Sequence, residues 1–319
     1  MNNYIKTPLN YTGNKFRLLE QMHPYFPKNI RIMVDMFCGG TTVGLNTNCE
    51  EVYFIDNDPR VIGLLKFFKD QDFELLLSKI EDIAKIYGLS NSYRNGTEYY
   101  KKQIKDKNSN NGLKDYNSVG YYRLRNDYNA MIDKDCDEAY VKLYMLLLYG
   151  FNNDLRFNAK GEFNLPVGKT DLNKTNVLKL NKYLQKVKTV KCHYICADFD
   201  SEEAKHIIDI ADFIYLDPPY LITNATYNES NKWNNFSEHR LLNLLDSFIE
   251  NGKKFVLSNI LSKKNIMNEP LFYWTEKNKN NVCIRHMNYS YSSASYNKKV
   301  REGHEDEIIV TWKVNNENK

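Results

Sequence analysis

The stretch Ile214-Tyr-Leu-Asp-Pro-Pro-Tyr220 decides the fold, because an apolar run ends abruptly in an acid, two prolines and an aromatic residue. Prolines cannot continue the hydrogen bonding of a central strand, so the chain leaves the sheet at this point. In an open α/β sheet, ligands bind beyond the carboxyl ends of the strands. The sequence therefore predicts a buried strand that ends in a ligand pocket formed by Asp217, Pro218, Pro219 and Tyr220.

These four residues suit the chemistry of an amino group on a planar ring. The exocyclic nitrogen of adenine is a poor nucleophile because its lone pair is delocalised into the ring. The Asp217 carboxylate and the Pro218 carbonyl would accept hydrogen bonds from the amine and stabilise the positive charge that develops on it during methylation. Tyr220 would stack on the ring, as aromatic side chains do on extruded bases. The alternative interpretation is a strand that ends in prolines and an ordinary turn.

A second apolar run, residues 30–40, ends in an acid, an aromatic residue and two glycines: Asp35, Phe37, Gly39 and Gly40. Glycines at a strand-to-helix turn let the backbone approach a ligand closely. The next run, residues 51–56, ends in Asp56, at the spacing of an acid that binds ribose hydroxyls. Neither a GxGxxG pattern nor a Walker lysine motif accompanies this turn. S-adenosylmethionine, a nucleoside cofactor without phosphates, therefore fits better than NAD or ATP.

A third motif, Pro8-Leu-Asn-Tyr-Thr-Gly-Asn-Lys15, precedes both runs. These three motifs, in this order, resemble the Dam-type DNA adenine-N6 methyltransferases, which include the DpnII- and EcoRV-type modification enzymes. Residues 150–168 resemble the target-recognition stretch of that family, and residues 305–312 resemble its final strand. The resemblance covers nearly the whole chain. It implies a site-specific enzyme that transfers a methyl group from S-adenosylmethionine to the amine of a flipped adenine in double-stranded DNA.

The resemblance implies a set of cofactor-binding residues: Tyr11, Lys15, Asp35, Phe37, Gly39, Gly40, Asp56, Asp198, Phe199 and Asp217. Tyr11 stands where many relatives have tryptophan, so an aromatic contact is kept with a different ring. Asp198 and Phe199 would flank the adenine of the cofactor, although Asp198 is equally suited to cap the following helix. Asp35 would orient the methionine amine or would only satisfy backbone donors.

The resemblance also implies a set of DNA-binding residues: Asn10, Phe151, Asn152, Asp154, Arg156 and Pro166. Arg156 matches the recognition arginine of the family, and arginine bound to guanine is the commonest base-specific contact. Phe151 stands where relatives place an aromatic wedge beside the flipped base, and core packing is the alternative for both Phe151 and Phe157. Asn10 replaces a base-reading lysine of Dam, Asn153 replaces a glycine, and Asp154 replaces a usually apolar residue. We therefore expect a target other than GATC.

The order of the predicted elements is that of an α/β, Rossmann-like doubly wound sheet with an inserted, mostly helical domain. Strand and helix signals alternate up to residue 69, helical periodicity follows over residues 72–150, and strand signals return from residue 193. We assign residues 1–70 and 188–319 to a discontinuous catalytic domain and residues 71–187 to a target-recognition domain. An insertion in a surface loop costs little in loop closure.

Composition limits the protein class only broadly. The 319 residues carry a net charge of +4, and the six cysteines show no CxxC or zinc spacing, so we expect reduced thiols and no metal. The sequence shows no secretory, transit or membrane-spanning pattern, which predicts a cytoplasmic, nucleoid-associated protein of a bacterium or phage. Residues 277–301 are basic and aromatic, which suits either a phosphate-facing surface or a chain rich in Lys, Asn and Tyr throughout.

Three other functions are open to this sequence. A methyltransferase acting on cytosine N4 or on RNA is one, although cytosine-amine enzymes more often carry serine at the position of Asp217. A catalytically silent DNA-binding module is another, against which the intact Asp217 and both glycines argue. A cytosine-C5 mechanism is disfavoured, because no Pro-Cys dipeptide supplies a thiolate. As partners we expect double-stranded DNA and, for a restriction-modification enzyme, a cognate endonuclease, with the protein itself a monomer.

Overall fold

The computed structural model describes residues 4–9, 13–104, 109–222, 233–288 and 305–313. The chain forms two compact units. The first, named the sheet unit here, contains residues 15–57, 190–222, 233–288 and 305–313 of the described chain. The second, named the helical unit, contains residues 4–9, 13–14, 58–104 and 109–189.

All described strands belong to the sheet unit: β1 Ile32–Met36, β2 Glu51–Asp56, β3 Lys191–Cys196, β4 Phe213–Leu216, β5 Phe255–Lys263, β6 Ile266–Met267, β7 Val282–His286 and β8 Glu305–Trp312. They form one eight-stranded sheet of order β3-β2-β1-β4-β5-β8-β7, with β6 paired to β5. The strands β3, β2, β1, β4 and β5 are parallel, whereas β8 and β7 are antiparallel additions. This is the mostly parallel, Rossmann-like sheet that the sequence predicts.

The described helices, in chain order, are α1 Leu19–Met22, α2 Thr42–Asn46, α3 Pro59–Asp70, α4 Phe73–Tyr87, α5 Ser92–Asn95, α6 Thr97–Lys101, α7 Lys114–Ala130, α8 Asp137–Tyr149, α9 Lys174–Val187, α10 Glu202–Ile210, α11 Asn235–Glu250 and α12 Glu269–Lys277. The helices α3 to α9 belong to the helical unit and separate β2 from β3. This unit includes α3, which precedes the predicted boundary at residue 71, and the division of the chain into a catalytic and a target-recognition domain stays a prediction. Helix α3 starts with Pro59 behind Asp58, whose side chain accepts from the Arg60 N–H at 2.9 Å. No described helix is both long and apolar enough to cross a membrane.

Both faces of the sheet are covered within the sheet unit, because successive side chains of a strand point to opposite faces. Val34 of β1 and Ile214 of β4 lie in one buried cluster with apolar residues of α10, α11 and α12. On the other face, the Phe26 ring lies 4.7 Å from the ring of Phe213. Asp35 lies between Val34 and Met36 in β1, so its side chain points to the second face, and it pairs in register with Tyr215. The side chains of Asp35 and Tyr215 therefore lie on the second face, near the carboxyl ends of β1 and β4.

Candidate active site and target-recognition stretch

Lys15 of the third sequence motif meets residues of the other two motifs at the carboxyl ends of β1 and β4. The strand order reverses between these two strands, and ligands of open α/β sheets bind at such a switch point. Lys15 and Asp217 are 202 residues apart in sequence, yet the Lys15 Nζ donates a hydrogen bond to Asp217 Oδ2 at 2.8 Å. Folding of the sheet thus brings one residue from each of two distant motifs together as an ion pair.

The Asp217 carboxylate is held at both of its oxygens. Lys15 binds Oδ2, and the Tyr220 hydroxyl donates to Oδ1 at 3.0 Å. The ammonium group of Lys15 also lies 5.2 Å from the centre of the Tyr220 ring. Burial raises the pKa of Asp217, while Lys15 and the Tyr220 hydroxyl oppose that rise. The side chain of Asp217 is 21% exposed and that of Lys15 only 1%, so the carboxylate keeps an open side for a ligand.

The glycine turn after β1 is fixed by two acids. Asp56 Oδ2 accepts from the Gly39 N–H at 3.0 Å, and Asp35 Oδ2 accepts from the Gly44 N–H at 2.8 Å. The turn itself is unusual, because the φ angles of Phe37 (60°) and Thr41 (61°) are left-handed as well as that of Gly39 (44°). Such angles at residues other than glycine cost energy and cluster at ligand-binding turns. Asp35 therefore satisfies one backbone donor, and its predicted contact with the methionine amine stays a prediction.

Three acidic side chains, those of Asp35, Asp56 and Asp217, lie close enough at this end of the sheet to interact. Burial raises the pKa of Asp35 well above its usual range; the hydrogen bond from Gly44 opposes this, and the nearby Asp217 and Asp56 raise it further. The hydroxyl of Tyr215, which is beside Asp35 in the sheet, is buried and has no hydrogen-bond partner among the described residues. The acidic groups at this end of the sheet favour a ligand that carries positive charge.

An aromatic cluster lies beside the glycine turn. The Phe199 ring lies 5.2 Å from that of Phe37, and the Trp233 ring lies 5.7 Å from both. The Arg240 guanidinium lies 4.8 Å from the Phe199 ring. It also donates to Asp198 at 3.0 Å and pairs with Asp200. The alternative role of Asp198 as a helix cap is wrong, because Ser201 caps α10 instead. Sequence reasoning missed Trp233 and Arg240, which carry no motif.

The predicted recognition stretch, residues 150–168, forms a hairpin-like loop of the helical unit. Antiparallel bridges join Gly150 to Val167 and Phe157 to Phe163. The rings of Phe157 and Phe163 are buried and meet edge to face at 5.6 Å, so core packing is the confirmed role of Phe157. Phe151 is 47% exposed, so core packing is wrong for Phe151.

The candidate DNA-contacting side chains lie on the outer part of this loop. Asn152 and Pro166 are exposed, while Asp154 and Arg156 are half-buried. The Arg156 Nε donates to Asn164 Oδ1 at 2.8 Å, which orients the guanidinium before any ligand is bound. Asp154 Oδ1 accepts from the Leu155 N–H at 2.9 Å. The roles of these residues in reading DNA stay predictions.

Asn153, a departure from the glycine of the family pattern, is explained by its geometry. Its φ angle of 54° is one that glycine or asparagine adopts most readily. Its side-chain amide donates to the carbonyls of Leu147 at 3.0 Å and Leu148 at 2.7 Å, near the end of α8. The asparagine therefore keeps the backbone shape that glycine would give and fastens the loop to the preceding helix.

Two sets of residues outside the motif support the loop. Tyr121, Arg125 and Asn129, at four-residue spacing on α7, bind its backbone: the first two donate to the Leu165 carbonyl at 3.1 and 3.2 Å, and Asn129 binds the N–H and carbonyl of Phe163. The Arg60 guanidinium lies 3.7 Å from the Phe157 ring centre and is held by both oxygens of Asp58. Sequence reasoning assigned none of these supporting roles.

Three predictions lie wholly or partly outside the described residues. Asn10 and Tyr11 are among the residues that the structure does not describe, and so are residues 289–301 of the basic, aromatic segment. In the described part of that segment, Lys277 pairs with Asp246 at 3.3 Å, and the Arg285 guanidinium lies 5.1 Å from the Tyr25 ring centre.

Comparison with known proteins places the chain in a family. Residues 11–282 match the model of the D12 class N6 adenine-specific DNA methyltransferases, and the chain belongs to that family. This confirms the resemblance found in the sequence. The chain is 34% identical over 316 residues to the type II methyltransferase M.FokI of Planomicrobium okeanokoites and 31% identical over 314 residues to the modification methylase StsI of Streptococcus sanguinis. It is 27% identical over 212 residues to the DNA adenine methylase of Haemophilus influenzae.

The coverage of these matches is unequal. The alignments with M.FokI and StsI include 97% of this chain but only 43% of each relative. The alignment with the Haemophilus influenzae enzyme includes 66% of this chain and 63% of that protein. The chain thus spans less than half the length of M.FokI and of StsI.

Proposed function

We propose that this chain is a site-specific DNA adenine methyltransferase that transfers a methyl group from S-adenosylmethionine to the exocyclic amine of an adenine flipped out of double-stranded DNA. The observation that carries the proposal is the Asp217 carboxylate, held by Lys15 and Tyr220 at the switch point of the sheet. Family membership supports the same reaction.

The residues after β4 would act on the target amine. Asp217 and the Pro218 carbonyl accept hydrogen bonds from the two amine protons, which localises the lone pair on nitrogen and favours its attack. As the nitrogen becomes positively charged, the carboxylate stabilises it more strongly than it stabilises the neutral amine, and this difference lowers the barrier. The Tyr220 ring stacks on the base while its hydroxyl fixes the carboxylate.

The acidic groups at this end of the sheet suit S-adenosylmethionine, which supplies an electrophilic methyl group on a positively charged sulfur. Asp56 would accept from ribose hydroxyls, and Asp35 would accept from the ammonium group of the methionine portion. Phe199, beside Phe37 and Trp233, offers an apolar ring for the adenine of the cofactor. The charges of Asp217 and Asp56, which act on Asp35, would favour the cationic end of this molecule.

The loop of residues 150–168 would read the DNA sequence. Arg156 is held in one orientation by Asn164, so it loses little freedom when it binds guanine. The exposed Phe151 is placed at the start of the loop, where an aromatic ring can fill the gap left by a flipped base. Asn152, Asp154 and Pro166 complete the set of residues proposed to contact DNA.

The test is methyl incorporation from radiolabelled S-adenosylmethionine into a random duplex library, followed by nucleoside analysis of the product. We expect label in N6-methyladenine at one sequence context that differs from GATC. Label in N4-methylcytosine or in RNA supplied in parallel would favour the alternative methyltransferases. Sequence-specific DNA binding without any incorporation would mark the chain as a silent binding module.

Two further parts of the proposal concern partners. The relatives named modification methylases suggest that this chain protects DNA against a cognate restriction endonuclease. Resistance of the methylated library DNA to a restriction endonuclease that cuts the same, unmethylated motif would test this. We also propose that the chain is a monomer. Analytical ultracentrifugation at micromolar concentration tests this, and a dimer in that experiment would contradict the proposal.

A further inference from the structure

A second acid, Glu307, lies at the ion pair of Lys15 and Asp217. Glu307 Oε1 is 3.8 Å from the Lys15 Nζ, whose hydrogen bond to Asp217 is 2.8 Å long. The side chains of Lys15 and Glu307 are each only 1% exposed. One buried ammonium group therefore lies between two carboxylates.

Glu307 lies on the face of β8 that is opposite to the apolar cluster. Ile308 and Val310 of β8 belong to the apolar cluster with α10, α11 and α12. Glu307 precedes Ile308 and therefore faces the opposite side of the sheet, where Lys15 lies. Removing a carboxylate from water is unfavourable unless a partner compensates. An acid at a buried position of this strand therefore depends on a charged partner, and Lys15 is that partner.

The charge of the cluster suggests what this acid contributes. Lys15 and Asp217 alone sum to zero, so the lysine would cancel much of the negative field that Asp217 directs at the target amine. With Glu307 the three groups carry a net charge of −1 when all are ionised. The target nitrogen gains positive charge in the transition state, and stabilisation of that charge is strongest in a site that excludes water.

We propose that Glu307 is a positioning residue for methyl transfer, which balances the charge of Lys15 so that Asp217 keeps its negative field at the target amine. This role rests on the proposed function. The alternative is that Glu307 only satisfies a buried lysine, in which case its loss destabilises the fold without a selective effect on the rate of methyl transfer.

The first test is Glu307→Gln, which keeps the size of the side chain and removes its charge. We expect the single-turnover rate of methyl transfer to fall about tenfold or more, with little change in the Kd for duplex DNA or S-adenosylhomocysteine. Glu307→Asp keeps the charge and should retain most of the rate. Asp306→Asn is the matched control, because Asp306 is the preceding residue of β8 but pairs with His286 at 2.7 Å and is 31% exposed. We expect that control to match the wild type.

The second test compares the effect of Glu307→Gln in two backgrounds. In Lys15→Met protein there is no ammonium charge to balance, so we expect Glu307→Gln to cost much less there than in the wild type. If the single Glu307→Gln variant folds poorly, the double variant can still be measured, because it buries neither the charge of Lys15 nor that of Glu307. An equal loss in both backgrounds, or a rate for Glu307→Gln within about twofold of the wild type, would overturn the role of Glu307. Absence of methyl transfer by the wild type would instead overturn the proposed function, and the role of Glu307 with it.

Discussion

The sheet unit and the helical unit build their candidate sites in opposite ways. In the sheet unit, Lys15 and Asp217 come from distant parts of the sequence, and the charged groups are bound to one another. In the helical unit, the candidate residues come from one stretch, residues 150–168. Among these candidates, the side chains of Asp154 and Arg156 bind the loop itself, and that of Asn152 is exposed. Buried charges interact strongly because water screens them little, whereas exposed ones interact weakly. Substitutions in the sheet unit should therefore change rate, and those in the loop should change choice of sequence.

Asp217→Ala gives the largest expected effect and tests the first half of this comparison. One acceptor that acts in the transition state is typically worth about 3 kcal/mol or more, so methyl transfer should fall by at least about a hundredfold. The single-turnover rate on cognate duplex measures this, and Asp217→Asn serves as a control of similar shape. An Ala variant that keeps more than about a tenth of the wild-type rate would show that Asp217 has another role.

Arg156→Ala tests the second half. We expect a cost of roughly 1–3 kcal/mol in binding of cognate DNA and relaxed choice at one base pair, because one bidentate contact to a base would be lost. Competition binding with cognate and single-substituted duplexes measures both. Lys160→Ala is the matched control from an exposed position of the same loop and should weaken all sequences equally. Equal losses for Arg156→Ala on cognate and random DNA would mark Arg156 as a phosphate contact.

Asp154→Leu should change the sequence that is methylated, with a smaller effect on rate. Leucine restores the apolar character usual in Dam-type enzymes, so the methylated motif should move towards GATC. Sequencing of methylated library DNA checks this, with Asp154→Asn as the variant that keeps the size of the side chain. If the leucine variant methylates the unchanged motif at the unchanged rate, Asp154 does not read a base.

Tyr220→Phe should have the smallest effect, a shift of the pH dependence. The Tyr220 hydroxyl lowers the pKa of Asp217 against the rise caused by burial. Without that hydroxyl the pKa rises further, and the ionised form that accepts from the amine is lost at a higher pH on acidification. The acid limb of the single-turnover pH profile should therefore move to higher pH, while the plateau changes little because the ring is kept. An acid limb that does not move would show that Asp217 does not control it.

The ends of the two central strands could be predicted from the sequence, since prolines and glycines have few other uses after an apolar run. The pairing of Lys15 with Asp217 and Glu307 could not, because it depends on the order of β1, β4, β5 and β8 in the sheet. The role of Arg240 could not be predicted either, because Arg240 lies in α11 and binds Asp198 and Asp200 in the distant segment between β3 and α10. In the recognition loop, the sequence pattern identified the stretch but left open whether Phe151 or Phe157 is buried, since both are aromatic residues of similar surroundings.

The contacts between α7 and the recognition loop have a consequence for how specificity can evolve. Tyr121, Arg125 and Asn129 bind the main chain of Leu165 and Phe163, and a main-chain contact is indifferent to the side chain that the residue carries. The outer positions of the loop can therefore be exchanged while its shape persists. A lineage of such enzymes could acquire new target sequences by a few surface substitutions in the loop, while α7, which holds the main chain of the loop, stays unchanged.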